Sequence, residues 1–328
     1  MFEIFVVAPL LLCFTRGAAA DSCAGPVGAW EVPECLSIVV TNEIVAARGE
    51  FWAVDSSETR YTSLVDLWMA KGGEPTASLA WHNCVSSFWA AQAPNAEAVL
   101  GELATSLGLE VADMDHGRRI LTQMLADRSG VFNPAQRASP RCLSVAAGIG
   151  REAAGILAPV CGSVDLVEPQ QHFLTAAVAA LAATGVDGRP FCSTAEDFVF
   201  DNEGYDVIWL QWGSSLISDA ALVRLLQGAA SALAIRASRG GHAVLVIKDN
   251  VSEFADAVYS DDSCMVVRSQ AYIDALVAVA GRDGVPLRLV TKERQEPWDD
   301  AFFPAYFLVY TLASDAGAGD GVGRSVEL

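Results

Sequence analysis

The chain has 328 residues, and 40 acidic against 21 basic side chains give it a formal charge of −19. That balance disfavours a phosphate backbone as partner, so nucleic acid is excluded from the expected ligands, while cationic ligands, basic peptide segments or solubility alone all fit it. Eight cysteines, at 13, 23, 35, 84, 142, 161, 192 and 264, form no C-x-x-C pair, and no histidine cluster stands at metal-ligand spacing, so no metal site is expected.

Hydrophobic residues make up 52% of the chain, yet no apolar run reaches the roughly 20 residues that cross a bilayer. The N-terminus carries mixed signs. Ile4 to Phe14 is an apolar run of signal-peptide length, and Ala18-Ala19-Ala20 ahead of Asp21 reads as a cleavage site. Glu3 and the lack of Lys or Arg before the run argue against a signal. Residues 1–20 are therefore read as a signal-like or apolar leader. A cytoplasmic or nuclear location is expected, with a secretory route open if the leader acts as a signal. Cys142 and Cys192 fall in or beside core strands, where cysteine is expected as a small buried hydrophobe in a reducing compartment.

Residues 21–140 are mostly helical by pattern, with Trp68, Trp81, Phe88 and Trp89 supplying bulk. Breaks at Gly72-Gly73, Pro75 and Pro94 cut this region into short helices, expected to form an extension that covers a ligand cleft. From Cys142 onward strand and helix alternate, the signature of βαβ units and a parallel sheet. CLSVAAGIG (Cys142 to Gly150) reads as strand then glycine turn, and the next ten residues as helix. SVDLVEP (Ser163 to Pro169) reads as a second strand and Gln170 to Ala183 as an Ala-rich helix. A short third strand lies in Arg189 to Phe198, and YDVIWLQW (Tyr205 to Trp212) holds the fourth. Ser218 to Ala237 is helical, with Ser218 and Asp219 as capping candidates and Gly240-Gly241 closing it. Further strands are expected in His242 to Asn250, Val285 to Glu293 and Ala305 to Leu312, with a helix over Tyr272 to Ala280. Residues 141–312 thus predict one α/β domain, doubly wound on a mostly parallel sheet, and 313–328 a flexible tail whose DAGAGDGVG has too few apolar residues to order itself.

Polar groups gather where the strands of this domain end. In open α/β sheets ligands bind outside the carboxyl ends of the strands, so Gln211 and Trp212, closing an apolar strand, are placed to touch one. Gly148 and Gly150 permit a tight turn and close backbone approach, although a glycine pair can be turn geometry alone. Glu168, about twenty residues past that turn, can accept hydrogen bonds from the hydroxyls of a ribose or serve as a helix-terminus carboxylate. Ala195-Glu196-Asp197-Phe198 follows the third strand as a border for a base or as an exposed acidic loop.

YDVIWLQW, VIKDN (Val246 to Asn250), VDLVEPQQHFL (Val164 to Leu174) and KERQE (Lys292 to Glu296) resemble the protein α-N-terminal methyltransferase family. The likeness runs from about Phe88 to Leu312, through Phe88-Trp89 and DMDHGRRIL (Asp113 to Leu121). It implies a class I methyltransferase-like Rossmann fold, S-adenosyl-L-methionine as cofactor, and the free α-amine of X-Pro-Lys protein N-termini as substrate. By position it places Ala146, Gly148, Gly150 and Arg151 at the methionine end of the cofactor, with the guanidinium on its carboxylate. Glu168 takes the ribose with Gln170 beside it, Ala195 and Glu196 border the adenine, and Gln211 lines the floor. Trp212, Asn250 and Ser263 fall on peptide-binding positions, and Asp262 on an acid near the reacting amine.

The chain departs from the family at four points. Ser144 stands where the glycine motif has an acid, Ala146 where it has glycine, and Leu216, four residues after Trp212, where the family has its catalytic His. GELATSL (Gly101 to Leu107) replaces a glycine-rich substrate loop. Active methyl transfer to N-terminal amines is therefore weighed against a protein of the same fold that binds peptide or cofactor without turnover. A nicotinamide-dependent oxidoreductase fits less well, because no Tyr-x-x-x-Lys pair follows the glycine motif.

Overall fold

The computed structural model describes residues 36–71, 79–101, 105–126, 140–282, 284–300 and 302–313; the leader and the tail from Asp315 lie outside the described residues. The extension begins with α1 (Leu36–Arg48), β1 (Ala53–Asp55), β2 (Arg60–Tyr61) and α2 (Leu64–Ala70). It continues through α3 (Leu79–Ala90), α4 (Ala96–Leu100) and α5 (Leu109–Leu125). The region is mostly helical, as expected, and β1 and β2 are strands that the pattern did not predict. Strands this short carry no readable alternation, and they exist because β1 pairs in parallel with a strand some 200 residues later in the chain.

The domain follows as β3 (Arg141–Val145), a π-helical turn (Ala153–Leu157), β4 (Ser163–Val167), α6 (Gln171–Ala182), β5 (Pro190–Phe191) and β6 (Val207–Gln211). A 3₁₀ turn (Ser214–Leu216) leads to α7 (Asp219–Ala237) and β7 (Val244–Asn250). The chain then forms the hairpin β8 (Ala257–Ser260) and β9 (Met265–Arg268), α8 (Gln270–Arg282), β10 (Leu287–Arg294) and β11 (Ala305–Leu312). Seven strands make the main sheet in the order β10-β11-β7-β6-β3-β4-β5, parallel except where β11 pairs antiparallel with both neighbours. Every residue of β6 is buried, as a strand covered on both faces requires. Parallel register sets Val145 beside both Val167 and Leu210, so β3, β4 and β6 end level. Winding turns outward in both directions between β3 and β6, and this switch point is where a crevice opens.

A second sheet, β2-β1-β8-β9, was not legible in the sequence. Its β8–β9 hairpin carries the acidic turn of Asp261 and Asp262. The extension is fixed to the domain by buried polar contacts as well as by this sheet. Asp219, first residue of α7, accepts from Trp68 Nε1 at 2.7 Å, Arg268 Nη2 at 2.9 Å and Tyr272 Oη at 2.5 Å. Ser218 caps the same helix as expected, its Oγ accepting from Ala221 N at 3.3 Å. By length and composition α7 could cross a membrane, but its apolar residues pack into the core of this fold.

The cysteines correct the expectation of buried free thiols. Cys142 is joined to Cys161, and Cys84 on α3 to Cys264 at the start of β9, with Cα atoms 6.1 Å apart in each pair. Cys192 is also disulfide-bonded. Spacing alone could not have paired them, since connectivity is a property of the fold.

Candidate functional site

A cavity of about 210 Å³ opens at the switch point, walled by the turns after β3, β4, β5 and β6 and covered by α3 and α5. Ala146, Gly148, Arg151, Glu168, Gln170, Ala195, Glu196, Gln211, Trp212 and Asn250 all line it. Ten positions chosen from sequence therefore meet in one space.

The turn after β3 needs left-handed backbone three times, at Ala146 (φ 55°), Gly148 (φ 53°) and Gly150 (φ 80°). Ala146 takes this conformation at a cost of about 1 kcal/mol relative to glycine. Its methyl group is accommodated by Gly213, where a Cβ would sit 2.8 Å away. Gly148 presents its backbone to the cavity, and its N–H donates to Glu168 Oε2 at 2.9 Å. Gly150 does not line the cavity. A Cβ there would lie 2.7 Å from Ala177 Cα, so this glycine lets the turn pack on α6, which corrects its assignment as a cofactor contact. Ser144, at the position of the family's acid, is buried and its Oγ has no hydrogen-bond partner.

Glu168 also accepts from Gln170 N at 2.9 Å and so ties the glycine turn to the start of α6. Burial raises its carboxyl to about 7 despite the two backbone donors that favour the ionised form. Gln170 Nε2 reaches Ser86 O on α3 at 3.2 Å, while its Oε1 is buried with no partner. Arg151 gives Nη2 to Asp113 Oδ2 at 3.1 Å, and its buried Nη1 has no hydrogen-bond partner. The neighbouring Glu152 is raised to about 7 by burial, partly opposed by Arg151.

At the other end of the cavity Trp212 holds a left-handed backbone (φ 50°) and faces Lys248, whose Nζ lies 3.9 Å from the ring centroid. Trp212 packs on the small apolar cluster of Leu100, Leu109 and Phe302 and also lines the cavity. Asn250 is oriented by Nδ2 donating to Phe303 O at 2.6 Å. Buried Asp249 accepts from Ser214 Oγ at 2.5 Å and Ser215 N at 3.0 Å, which anchors the 3₁₀ turn carrying Leu216 into the wall. Asp262 and Ser263 are not brought in. Asp262 is exposed on the β8–β9 turn, and Ser263 Oγ is bonded to Ser260 Oγ at 2.8 Å. Strand alternation explains this, because β9 turns Met265 and Val267 to the cavity and the turn before it points away.

Of the chain's four histidines only His82, on α3, lines the cavity. His116 stacks on Phe307 and bonds Glu293, His172 bonds Gln92 O at 3.0 Å, and His242 sits at the amino end of the sheet. Nothing in the sequence singled out His82, Asp113 or the rim of Trp298, Phe302 and Phe303, and for Lys248 the one available signal was a lysine inside the apolar strand VIKDN. Among the described residues no group of His, Cys, Asp or Glu is placed to hold a metal ion.

These residues fit S-adenosylmethionine. Arg151 Nη1, with no hydrogen bond and Glu110 Oε1 3.8 Å away, suits its carboxylate, and Glu168 with Gln170 Oε1, which has no hydrogen-bond partner, suits its hydroxyls or amine.

Residues 78–313 match the family described as AdoMet-dependent proline di-methyltransferase. The human N-terminal Xaa-Pro-Lys N-methyltransferase 1 is 26% identical over 227 residues, covering 69% of this chain and 93% of the relative. Its counterpart from Bos taurus is 30% identical over 199 residues, 60% of this chain and 81% of the relative. A SAM-dependent methyltransferase of Leishmania major shares the fold with a TM-score of 0.64 at 21% identity, covering 80% of this chain and 96% of that one. The segment α1 to α2 precedes the matched region. The chain belongs to the AdoMet-dependent proline di-methyltransferase family, and its cofactor is S-adenosylmethionine.

Proposed function

We propose that the chain methylates the free α-amine of protein N-termini of the X-Pro-Lys type. The observation that carries this reading is that Trp212 and Asn250 line the same cavity as Arg151, Glu168 and Gln211. A peptide end held by the first pair would lie beside a cofactor held by the second set. When bound, S-adenosylmethionine supplies an electrophilic sulfonium methyl. The protein's part is alignment, with Arg151 and Glu168 fixing the donor and Trp212 and Asn250 the acceptor. A free α-amine has a pKa of roughly 7.7 to 8.0, so a useful fraction is neutral near pH 7 and a weak base suffices. Leu216 cannot supply that base and Asp262 does not line the cavity; of the titratable groups that do line it, His82 is the one imidazole, and we take it as the proton acceptor.

A second reading, peptide or cofactor binding without turnover, is favoured by the apolar Leu216 at the family's histidine position. Incubation with labelled S-adenosylmethionine and a Pro-Lys N-terminal peptide separates the two. Label on the α-amine supports transfer, binding without label supports the second reading, and neither ligand bound overturns both.

We further propose a secretory route in place of the cytoplasm or nucleus. Disulfides at Cys84–Cys264 and Cys142–Cys161 support it, since such bonds persist in oxidising compartments. Thiol labelling of the protein isolated from its own cells checks this, and reactive Cys84 or Cys142 would contradict it.

A further inference from the structure

Two cations are buried beside the cavity, and one carboxylate holds both. Lys248 is 0% exposed in the middle of β7, and Asp113 on α5 is 1% exposed. Asp113 Oδ1 accepts from Lys248 Nζ, while Oδ2 accepts from Gln211 Nε2 at 2.8 Å and Arg151 Nη2 at 3.1 Å. Small residues let α5 come close enough for this. A Cβ on Gly117 would lie 2.5 Å from Ile156 Cδ1, and one on Gly155 2.7 Å from Met114 Sδ.

We propose that Asp113 is a positioning residue joining the two ends of the cavity: it aims Arg151 at the cofactor and, through Lys248, holds Trp212 against the peptide. The peptide half of this statement rests on the X-Pro-Lys reading above; the cofactor half does not.

Lys248 grips Trp212 twice. Its carbonyl accepts the Trp212 N–H at 2.8 Å, and its ammonium sits on the indole face at 3.9 Å from the centroid. A tryptophan at φ 50° persists only where its surroundings over-determine it, and these two contacts do so. Buried ion pairs contribute little net stability and can often be replaced by apolar groups, so a pair kept beside a ligand cavity points to placement. Burial lowers the Lys248 ammonium and Asp113 opposes that shift, so the carboxylate keeps the cation on the ring. Asp113 and Glu110, whose Oε1 lies 3.8 Å from Arg151 Nη1, balance the two positive charges of Arg151 and Lys248.

Two variants test this. Lys248→Met leaves Asp113 paired with Arg151, and Asp113→Asn with Lys248→Met removes both members of the pair and leaves Arg151 the Glu110 carboxylate at 3.8 Å; each is expected to fold. S-adenosylhomocysteine affinity is read by calorimetry, and kcat and KM with a Pro-Lys peptide. In Lys248→Met the peptide KM rises about ten-fold, kcat stays within about three-fold, and S-adenosylhomocysteine affinity stays within about two-fold. In the double variant S-adenosylhomocysteine affinity also falls about ten-fold, because Arg151 loses the charged acceptor that orients it. A residue of merely structural role would lower thermal stability and leave this split absent. The proposal is overturned if the folded double variant binds S-adenosylhomocysteine as the wild type does, or if Lys248→Met leaves the peptide KM unchanged. A wild type that binds S-adenosylhomocysteine but no Pro-Lys peptide overturns the X-Pro-Lys reading instead, and the double variant's S-adenosylhomocysteine affinity still decides the role of Asp113.

Discussion

At the cofactor end of the cavity Arg151 and Gln170 keep buried polar atoms without hydrogen bonds, whereas at the other end Leu216, Met265 and Val267 present apolar surface. The first end is made by turns at the tips of β3, β4 and β5, whose positions follow from sheet topology. It tolerates Ser144 and Ala146 because the backbone, more than those side chains, builds the cradle. The second end is made by side chains on a 3₁₀ turn and on a hairpin that the extension has recruited into a second sheet. Substitution there changes chemistry directly. The fold protects donor binding and leaves acceptor handling free to diverge.

Removing the charge that defines the first end should have the largest effect. Arg151→Met leaves Asp113 and Lys248 as a neutral pair, so the protein should fold, and S-adenosylhomocysteine affinity should fall about 100-fold with loss of the charge-assisted contact. An affinity within a few-fold of wild type, measured by calorimetry, would remove Arg151 from the cofactor site. At the second end the test is exchange of the base. His82→Gln should lower kcat about 30-fold, with S-adenosylhomocysteine binding unchanged. Leu216→His in that background should recover part of the loss. If His82→Gln turns over normally, proton acceptance lies elsewhere and the contrast between the ends is weaker than drawn.

The first end was readable in the sequence for the reason that it survives divergence. An apolar run from Val207 to Leu210 ending in Gln211 marks a strand end, and Glu168 lies on the next strand after the glycine turn, so connectivity alone brings them together. Periodicity could place Asp113 on a helix but could not say that Gly117 and Gly155 draw that helix onto the π-helical turn. The hairpin of Ala257–Ser260 and Met265–Arg268 was missed because each arm is four residues long and its partner, β1, is remote in sequence. Without the hairpin there was no means to see that Asp262 faces out and Met265 faces in.

The two ends should also differ in their response to pH. Ribose hydroxyls at this site would donate to the ionised form of Glu168, whose carboxyl burial raises to about 7 in the free protein. Cofactor binding therefore requires the proton to leave, and affinity should be nearly constant above pH 8 and fall about ten-fold between pH 8 and pH 6. Glu152 titrates in the same range and lines the same cavity, so the measurement belongs in a Glu152→Gln background. Affinity for S-adenosylhomocysteine that rises as the pH is lowered would show that the hydroxyls do not meet an ionised Glu168.

The smallest expected effect concerns the clasp that joins the two ends. Cys84 lies on α3, whose Ser86 and Trp89 wall the cofactor end, and Cys264 immediately precedes Met265 in the other wall. Cys142–Cys161 instead links the start of β3 to the loop before β4, at the amino end of the sheet. Both bonds restrict the unfolded chain, so losing either should lower stability by a few kcal/mol (about 2 to 4). Only the first also restrains a cavity wall. With Cys84 and Cys264 both changed to Ser, α3 remains held by Gln170 on Ser86 but can part from the hairpin, and S-adenosylhomocysteine should leave about three-fold faster in stopped-flow release. The matched Cys142→Ser and Cys161→Ser variant should release it at the wild-type rate. Equal release from both variants would mean that α3 is seated by packing alone, and that the two ends of the cavity are joined only through Asp113 and Lys248.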